Sequence, residues 1–182
     1  SQHLLLRHAD AIPTLIDLLG SSSKEVYEQA MWILGSIASS DTPIDNKSSS
    51  SARDVLLSAG VMSRLLPCLE ANATNLSLQR IGSWTLSNLL DNIFNTKQSN
   101  ASRENHENVI DVDQLFPVLR RMLHMTDSEV LSYTCWCLSH LCDSNVHIGH
   151  VVNDDPTPGG LVPRLVELLV HTSWRVTKPA LR

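Results

Sequence analysis

Aromatic side chains make up only 4% of the 182 residues, with two Phe and two Tyr beside four Trp. A core built on stacked rings is excluded, so burial has to come from Leu, Ile, Val and Ala within a 42% hydrophobic share. No apolar run approaches the ~20 residues that a membrane-spanning helix needs, and no secretory leader is visible in the residues given. Positive charge is not in excess: 14 Lys and Arg face 19 Asp and Glu, a net charge of -5. That balance argues against direct nucleic-acid binding and suits a cationic partner. Cys68, Cys135, Cys137 and Cys142 show no C-x-x-C spacing and read as reduced core thiols of an intracellular protein. Cys135, Cys137, His140 and Cys142 point in several directions at helical spacing, so no metal and no other cofactor is expected. A phosphate loop, a nucleophile elbow and motif-placed paired carboxylates are all missing, and His147 and His150 have no convincing partner. The chain is therefore expected to have no enzymatic activity. The sequons at Asn46, Asn72, Asn75 and Asn100 are expected to stay unused.

What is present is a repeat. Trp32, Trp84 and Trp136 stand 52 residues apart, inside QAMWILGSI, RIGSWTLSNL and YTCWCLSHL. A helical period of roughly 40 to 50 residues marks a stacked α-solenoid. At about 100° per residue, Ala30, Ile33, Leu34 and Ile37 share one side of the first tryptophan helix, and Trp32 falls roughly 150° from that stripe with Gln29 and Ser36 beside it. The second copy sets Gly82, Thr85, Leu86 and Leu89 against Trp84 and Asn88. The third sets Cys137, Leu138 and Leu141 against Trp136 and His140. Three indoles off the core face in one register predict a binding surface.

Upstream of each tryptophan helix lies an amphipathic middle helix, over 12–19, 62–69, 116–123 and 162–169, with apolar residues at i, i+3, i+4 and i+7. Pro13, Pro117 and Pro163 fall at the second position of three of these, where a first turn tolerates the missing N–H. A shorter helix precedes each, over 3–8, 53–58 and 147–152, and less clearly around 108–112. Ala59-Gly60 and Gly159-Gly160 supply tight bends. Each unit is thus short helix, middle helix and longer third helix, giving units over 1–41, 53–92, 108–144 and a truncated 146–182. Polar stretches over 42–52 and 93–107 read as loops. The chain starts and stops abruptly and reads as a fragment of a longer solenoid.

Indoles on successive helices make apolar, electron-rich slots. Their natural ligand is an extended chain with long cationic side chains, whose methylenes pack on the rings while the charge meets the ring faces. An amide one turn after an indole, as Asn88 is after Trp84, can donate to and accept from a peptide backbone.

EQAMWILGSIA, SWTLSNLL, SEVLSYTCWCLSHLCD, LVPRLVELL and VTKPALR resemble the armadillo core of the importin-α (karyopherin-α) family, over nearly the whole chain apart from the two loops. The resemblance implies an all-α fold, an armadillo-repeat right-handed superhelical solenoid, cut from the third to sixth repeats. It implies a nuclear import adaptor moving between cytoplasm and nucleus, binding Lys/Arg-rich nuclear localisation signals, with importin-β recruited through a segment outside this chain. Trp32 and Trp84 would line the major groove, with Gln29 and Asn88 holding the ligand backbone. Trp136 would flank it, and Glu129 and Asp143 would attract basic side chains. In that family the sixth tryptophan becomes arginine, and Arg182 of KPALR falls six residues after Val176, as Trp32 follows Val26. Departures stand at four points. Ser36 replaces an expected Asn; His3 and Ser40 replace a Thr and an Asp of a lysine pocket, with Asp41 one place late; Asp91 replaces an Arg; and His140 replaces a Tyr. The alternative is a β-catenin-like armadillo scaffold for another extended partner. A positive groove would favour that alternative, but few Lys or Arg fall near the ladder.

Overall fold

The computed structural model describes residues 11–40, 51–91, 110–143, 149, 151 and 160–182. The chain divides into two compact units, 1–89 and 90–182. In the first, α1 (Ala11–Asp17) runs into a 3-10 turn (Leu18–Gly20), followed by α2 (Lys24–Ala38), α3 (Ala52–Ser58), α4 (Val61–Ala71) and α5 (Leu76–Leu90). In the second lie α6 (Val112–Leu123), α7 (Ser128–Cys142), α8 (Leu161–Leu168) and α9 (Trp174–Ala180). The expected short helix over 3–8 lies outside the described residues, as do the loops over 42–50 and 93–107 and most of 147–152.

Helices α3, α4 and α5 follow one another as short, middle and long helix, and local chemistry sets each junction. Ser51 closes a capping box: its Oγ accepts from Asp54 N–H at 3.2 Å, and Asp54 Oδ2 accepts from Ser51 N–H at 2.9 Å. Ser51, near the end of the polar stretch over 42–52, is thus the N-cap of α3. Gly60, at φ +79°, turns the chain between α3 and α4 in the left-handed region that glycine adopts without cost. Gly160 is extended, at φ -74° and ψ 163°, so the bend expected there is not of that kind.

The proline rule needs one correction. Asp111 accepts from the N–H groups of Asp113 and Gln114, at 3.1 and 3.3 Å, and so caps α6 at Val112. That earlier start puts Pro117 inside α6 rather than in its first turn. No separate short helix occupies Ile110 and Asp111.

Equivalent helices stack on one another. The middle-type pairs α1 with α4 and α6 with α8 pack together, as do the tryptophan helix α7 and α9. This is the contact pattern of a repeat whose units cannot bury their apolar faces alone. The cores are aliphatic, as the composition requires: Leu56, Leu65, Leu69 and Leu86 in the first unit, and Leu115, Leu119 and Leu141 in the second, have no exposed surface. Among the described residues, no helix is long and apolar enough to cross a membrane.

None of the four cysteines is in a disulfide, and no cluster of metal-ligating side chains is found among the described residues. Burial pushes the Cys135 thiol up to about 12 and the Cys137 thiol higher still. At pH 8 the thiolate fraction of Cys135 is then about a thousandfold below that of an ordinary cysteine. Titration of the native chain with a thiol reagent should label the half-buried Cys142 first. Cys135 and Cys137 should react only after denaturation. Labelling of Cys137 at the rate of Cys142 would contradict this packing of α7.

Candidate peptide-binding residues

In the first unit the Trp84–Asn88 rung is built by the packing of α5 on α2. Thr85 Oγ1 donates to the buried Met31 carbonyl at 3.2 Å, and Asn88 Nδ2 donates to the Gly35 carbonyl at 3.3 Å. The Trp84 ring lies over the same residue. A Cβ placed on Gly35 would meet Trp84 Cζ3 at 2.6 Å and Cε3 at 2.9 Å, and would also strike Thr85 Oγ1. Gly35 is therefore the floor on which the indole rests. The C-terminal ends of α2 and α5 are tied by Arg53, whose Nε donates to the Asn88 carbonyl at 2.6 Å and whose guanidinium also reaches the Ala38 carbonyl at 3.4 Å. A cation on the last carbonyls of two helices also suits their dipoles.

Trp32 is 49% exposed, and Gln29, one turn earlier on α2, is exposed too. Ser36 is not: only 6% of its surface is accessible. The expectation that Ser36 stands on the open side beside Trp32 is thus corrected. The buried arc of α2 is wider than one stripe, because α1, α3 and α5 all pack on this helix and cover Met31, Gly35 and Ala38 as well as Leu34. Ile33, placed on the core side by the periodicity, is only half-buried. Trp84 and Trp136 are half-buried, not open like Trp32. Asp41 lies outside the described residues.

In the second unit Trp136 is engaged by its own chain. Its ring stacks on His140 with centroids 5.8 Å apart and planes 25° from parallel. The Arg182 guanidinium stands 5.7 Å from the Trp136 ring centroid and holds Asp143 Oδ2 at 3.1 Å. A cation over an indole and against a carboxylate is the arrangement expected of a basic ligand side chain, here supplied internally. Asp91 approaches His140 Nδ1 at 3.7 Å, so two of the four departures from the family pattern meet.

Between α7 and α9 runs a groove of about 710 Å³. Ser132 Oγ donates to the Arg175 carbonyl at 2.8 Å and fixes the start of α9 against α7. Glu129 stands on the α7 wall, in the first helical turn, where its charge also suits the helix N-terminus. The α9 wall carries Trp174, 68% exposed, with Arg175 and Lys178. The expectation of few cations near the ladder is corrected by this wall, of whose three residues only Lys178 falls within a segment singled out in the sequence. A signal was available: Trp174, Lys178 and Arg182 follow at i, i+4 and i+8, one face of a helix.

The armadillo/beta-catenin-like repeat family matches residues 105–143. The chain is 38% identical over 173 residues, 94% of its length, to importin subunit alpha-1b of Oryza sativa subsp. japonica, covering 28% of that protein. It is 40% identical over 165 residues, 90% of its length, to importin subunit alpha-2 of Arabidopsis thaliana, covering 26% of it. The chain thus spans little more than a quarter of the length of these curated relatives. A designed armadillo repeat protein solved in complex with peptide (KR)4 superposes with a TM-score of 0.71 at 23% identity, over 98% of this chain and 64% of that one. That likeness shows the fold: the chain is all-α and armadillo-like.

Proposed function

We propose that this armadillo-repeat chain, similar to importin-α subunits over nine-tenths of its length, is the peptide-binding part of a nuclear import adaptor. Its ligands are Lys/Arg-rich nuclear localisation signals bound as extended chains. It catalyses no reaction and holds no cofactor. Importin-β joins through a segment outside this chain, and the whole protein moves between cytoplasm and nucleus. The units over 1–41, 53–92, 108–144 and 146–182 are its repeats.

The observation that carries this reading is the Trp84–Asn88 rung. The indole rests on Gly35 with part of its surface open, and Asn88 spends one amide N–H on the Gly35 carbonyl. That leaves its oxygen and second N–H to hold a ligand backbone. Trp32 and Gln29 on α2 form the neighbouring rung, with Asp41 adding its charge, while the buried Ser36 has almost no surface to offer a ligand. On α7, Glu129, Trp136, His140 and Asp143 form a third rung, where Arg182 competes with a ligand cation. The scaffold reading gains one observation, the cations Arg175 and Lys178 on α9.

The test is a fluorescence titration with a K-K-x-K/R peptide. Binding should quench or shift the indole emission and weaken as salt rises. Trp84→Ala should lose at least about 1 kcal/mol, roughly fivefold in affinity. A basic peptide that binds no better than a scrambled neutral one overturns the import reading.

A further inference from the structure

The α7–α9 groove does not match a purely basic ligand. Arg175 and Lys178 stand on α9, one turn apart on the same face as the open Trp174, and both are exposed. Neither makes a side-chain ion pair among the described residues. Facing them, α7 brings one carboxylate, Glu129, together with the rings of Tyr133 and Trp136. The Arg182–Asp143 pair is neutral as a unit and does not alter this sum. Two cations against one carboxylate leave the groove at a net +1, in a chain whose total is -5. A lysine-rich segment is repelled from the α9 wall, whereas a side chain carrying a carboxylate is drawn there. The Trp174 and Trp136 rings would pack its methylenes or its neighbours.

We propose that this groove reads an acidic flank: the α9 wall of Trp174, Arg175 and Lys178 takes an Asp or Glu next to the basic run of an extended peptide. The inference rests on the import reading above and narrows it to signals of mixed charge. Glu129 holds the last basic residue, and the change of sign along the peptide fixes its register. Like charges placed opposite one another give a basic flank the reverse effect, so the groove discriminates by repulsion as well as attraction.

The experiment uses the 182-residue chain and four labelled peptides sharing one K-K-x-K core. One has neutral flanks, one has three Glu on the N-terminal side, one has three Glu on the C-terminal side, and one has three Lys on each side. Anisotropy should show that acidic residues on one flank tighten binding about three- to tenfold over the neutral peptide, the size expected of one or two exposed charge pairs. Acidic residues on the other flank should give no gain. In Arg175→Gln/Lys178→Gln that gain should vanish, and the Lys-flanked peptide should bind more tightly than it does to the unaltered chain. Lys178→Arg should keep the gain. Circular dichroism confirms that each variant folds. Acidic flanks that weaken binding on both sides, or a gain that survives the double Gln variant, overturn the inference while leaving the import reading standing. Absence of binding by the neutral-flanked peptide overturns the import reading, and this one with it.

Discussion

Gly35→Ala should destabilise the first unit by about 2 kcal/mol, although alanine is the better helix former. Gly35 sits near the middle of the last two turns of α2, a helix-interior position where Ala is worth about 1 kcal/mol over Gly in backbone terms. Against that stands the space a methyl group would need. It would lie 2.6 Å from Trp84 Cζ3 and 2.9 Å from Cε3, and against Thr85 Oγ1 as well. None of these can swing aside at little cost. Trp84 is a rigid bicyclic ring, and Thr85 Oγ1 is held by the Met31 carbonyl. Overpacking of this kind costs about 3 kcal/mol and outweighs the propensity gain. The substitution should therefore lower the melting temperature and weaken basic-peptide binding together, because it lifts the indole and lengthens the Asn88–Gly35 hydrogen bond. A double-mutant cycle separates the two partners. Gly35→Ala/Trp84→Ala should be at least about 1 kcal/mol more stable than the sum of the single changes, since removing the ring removes much of the clash. Additive costs would show that Trp84 does not rest on Gly35.

That contact also marks the limit of what periodicity can reveal. The helical pattern and the 52-residue interval were enough to expect stacked helical repeats, and the aliphatic core over Leu34, Leu86, Leu138 and Leu141 follows from residue spacing alone. The register also set Trp32 off the core face, and its indole is 49% exposed. How far the other two indoles are covered depends on residues distant in the chain. Trp84 is covered by Gly35, 49 positions earlier, and Trp136 by Arg182, 46 positions later. A helical wheel treats each helix as a cylinder with one wet side. A repeat helix has neighbours before and after it, so Ser36, on the wet side of the wheel, is buried. Arg175 and Lys178 are hidden for a different reason. The position equivalent to the tryptophans is Arg182, whereas these two cations stand seven and four residues earlier in the chain.

The other large effect is expected at Gln79, which no motif singles out. It is fully buried, and its Nε2 donates to two carbonyls, Leu69 at 3.0 Å and Asn72 at 3.0 Å. Both acceptors lie at the C-terminal end of α4, where helical carbonyls lack an intrahelical donor. Asn72 adds a local bond, donating from Nδ2 to the Cys68 carbonyl at 2.9 Å. Gln79 is thus a side-chain cap reaching back from α5, and it closes the α4–α5 turn from inside. Gln79→Leu keeps the bulk and the helix propensity but removes both donors. Both carbonyls lose this donor, although Asn72 keeps the Asn75 N–H at 3.0 Å, so the cost is that of one buried amide's two hydrogen bonds, about 1–3 kcal/mol in all. A loss of about 2 kcal/mol is expected in urea unfolding, against less than about 1 kcal/mol for a surface change such as Ser77→Ala, at an exposed position on the same helix. The consequence extends to the rung. Gln79 stands on α5 about one and a half turns before Trp84, so a relaxed turn shifts the helix that carries Trp84 and Asn88. Gln79→Leu should therefore weaken basic-peptide binding even under conditions where the chain remains folded by circular dichroism. Gln79→Glu separates donation from shape: a carboxylate of equal length aimed at two carbonyl oxygens repels both, so it should be less stable than the Leu variant at neutral pH. If Gln79→Leu unfolds within about 0.5 kcal/mol of the unaltered chain, the buried amide is not what closes the turn.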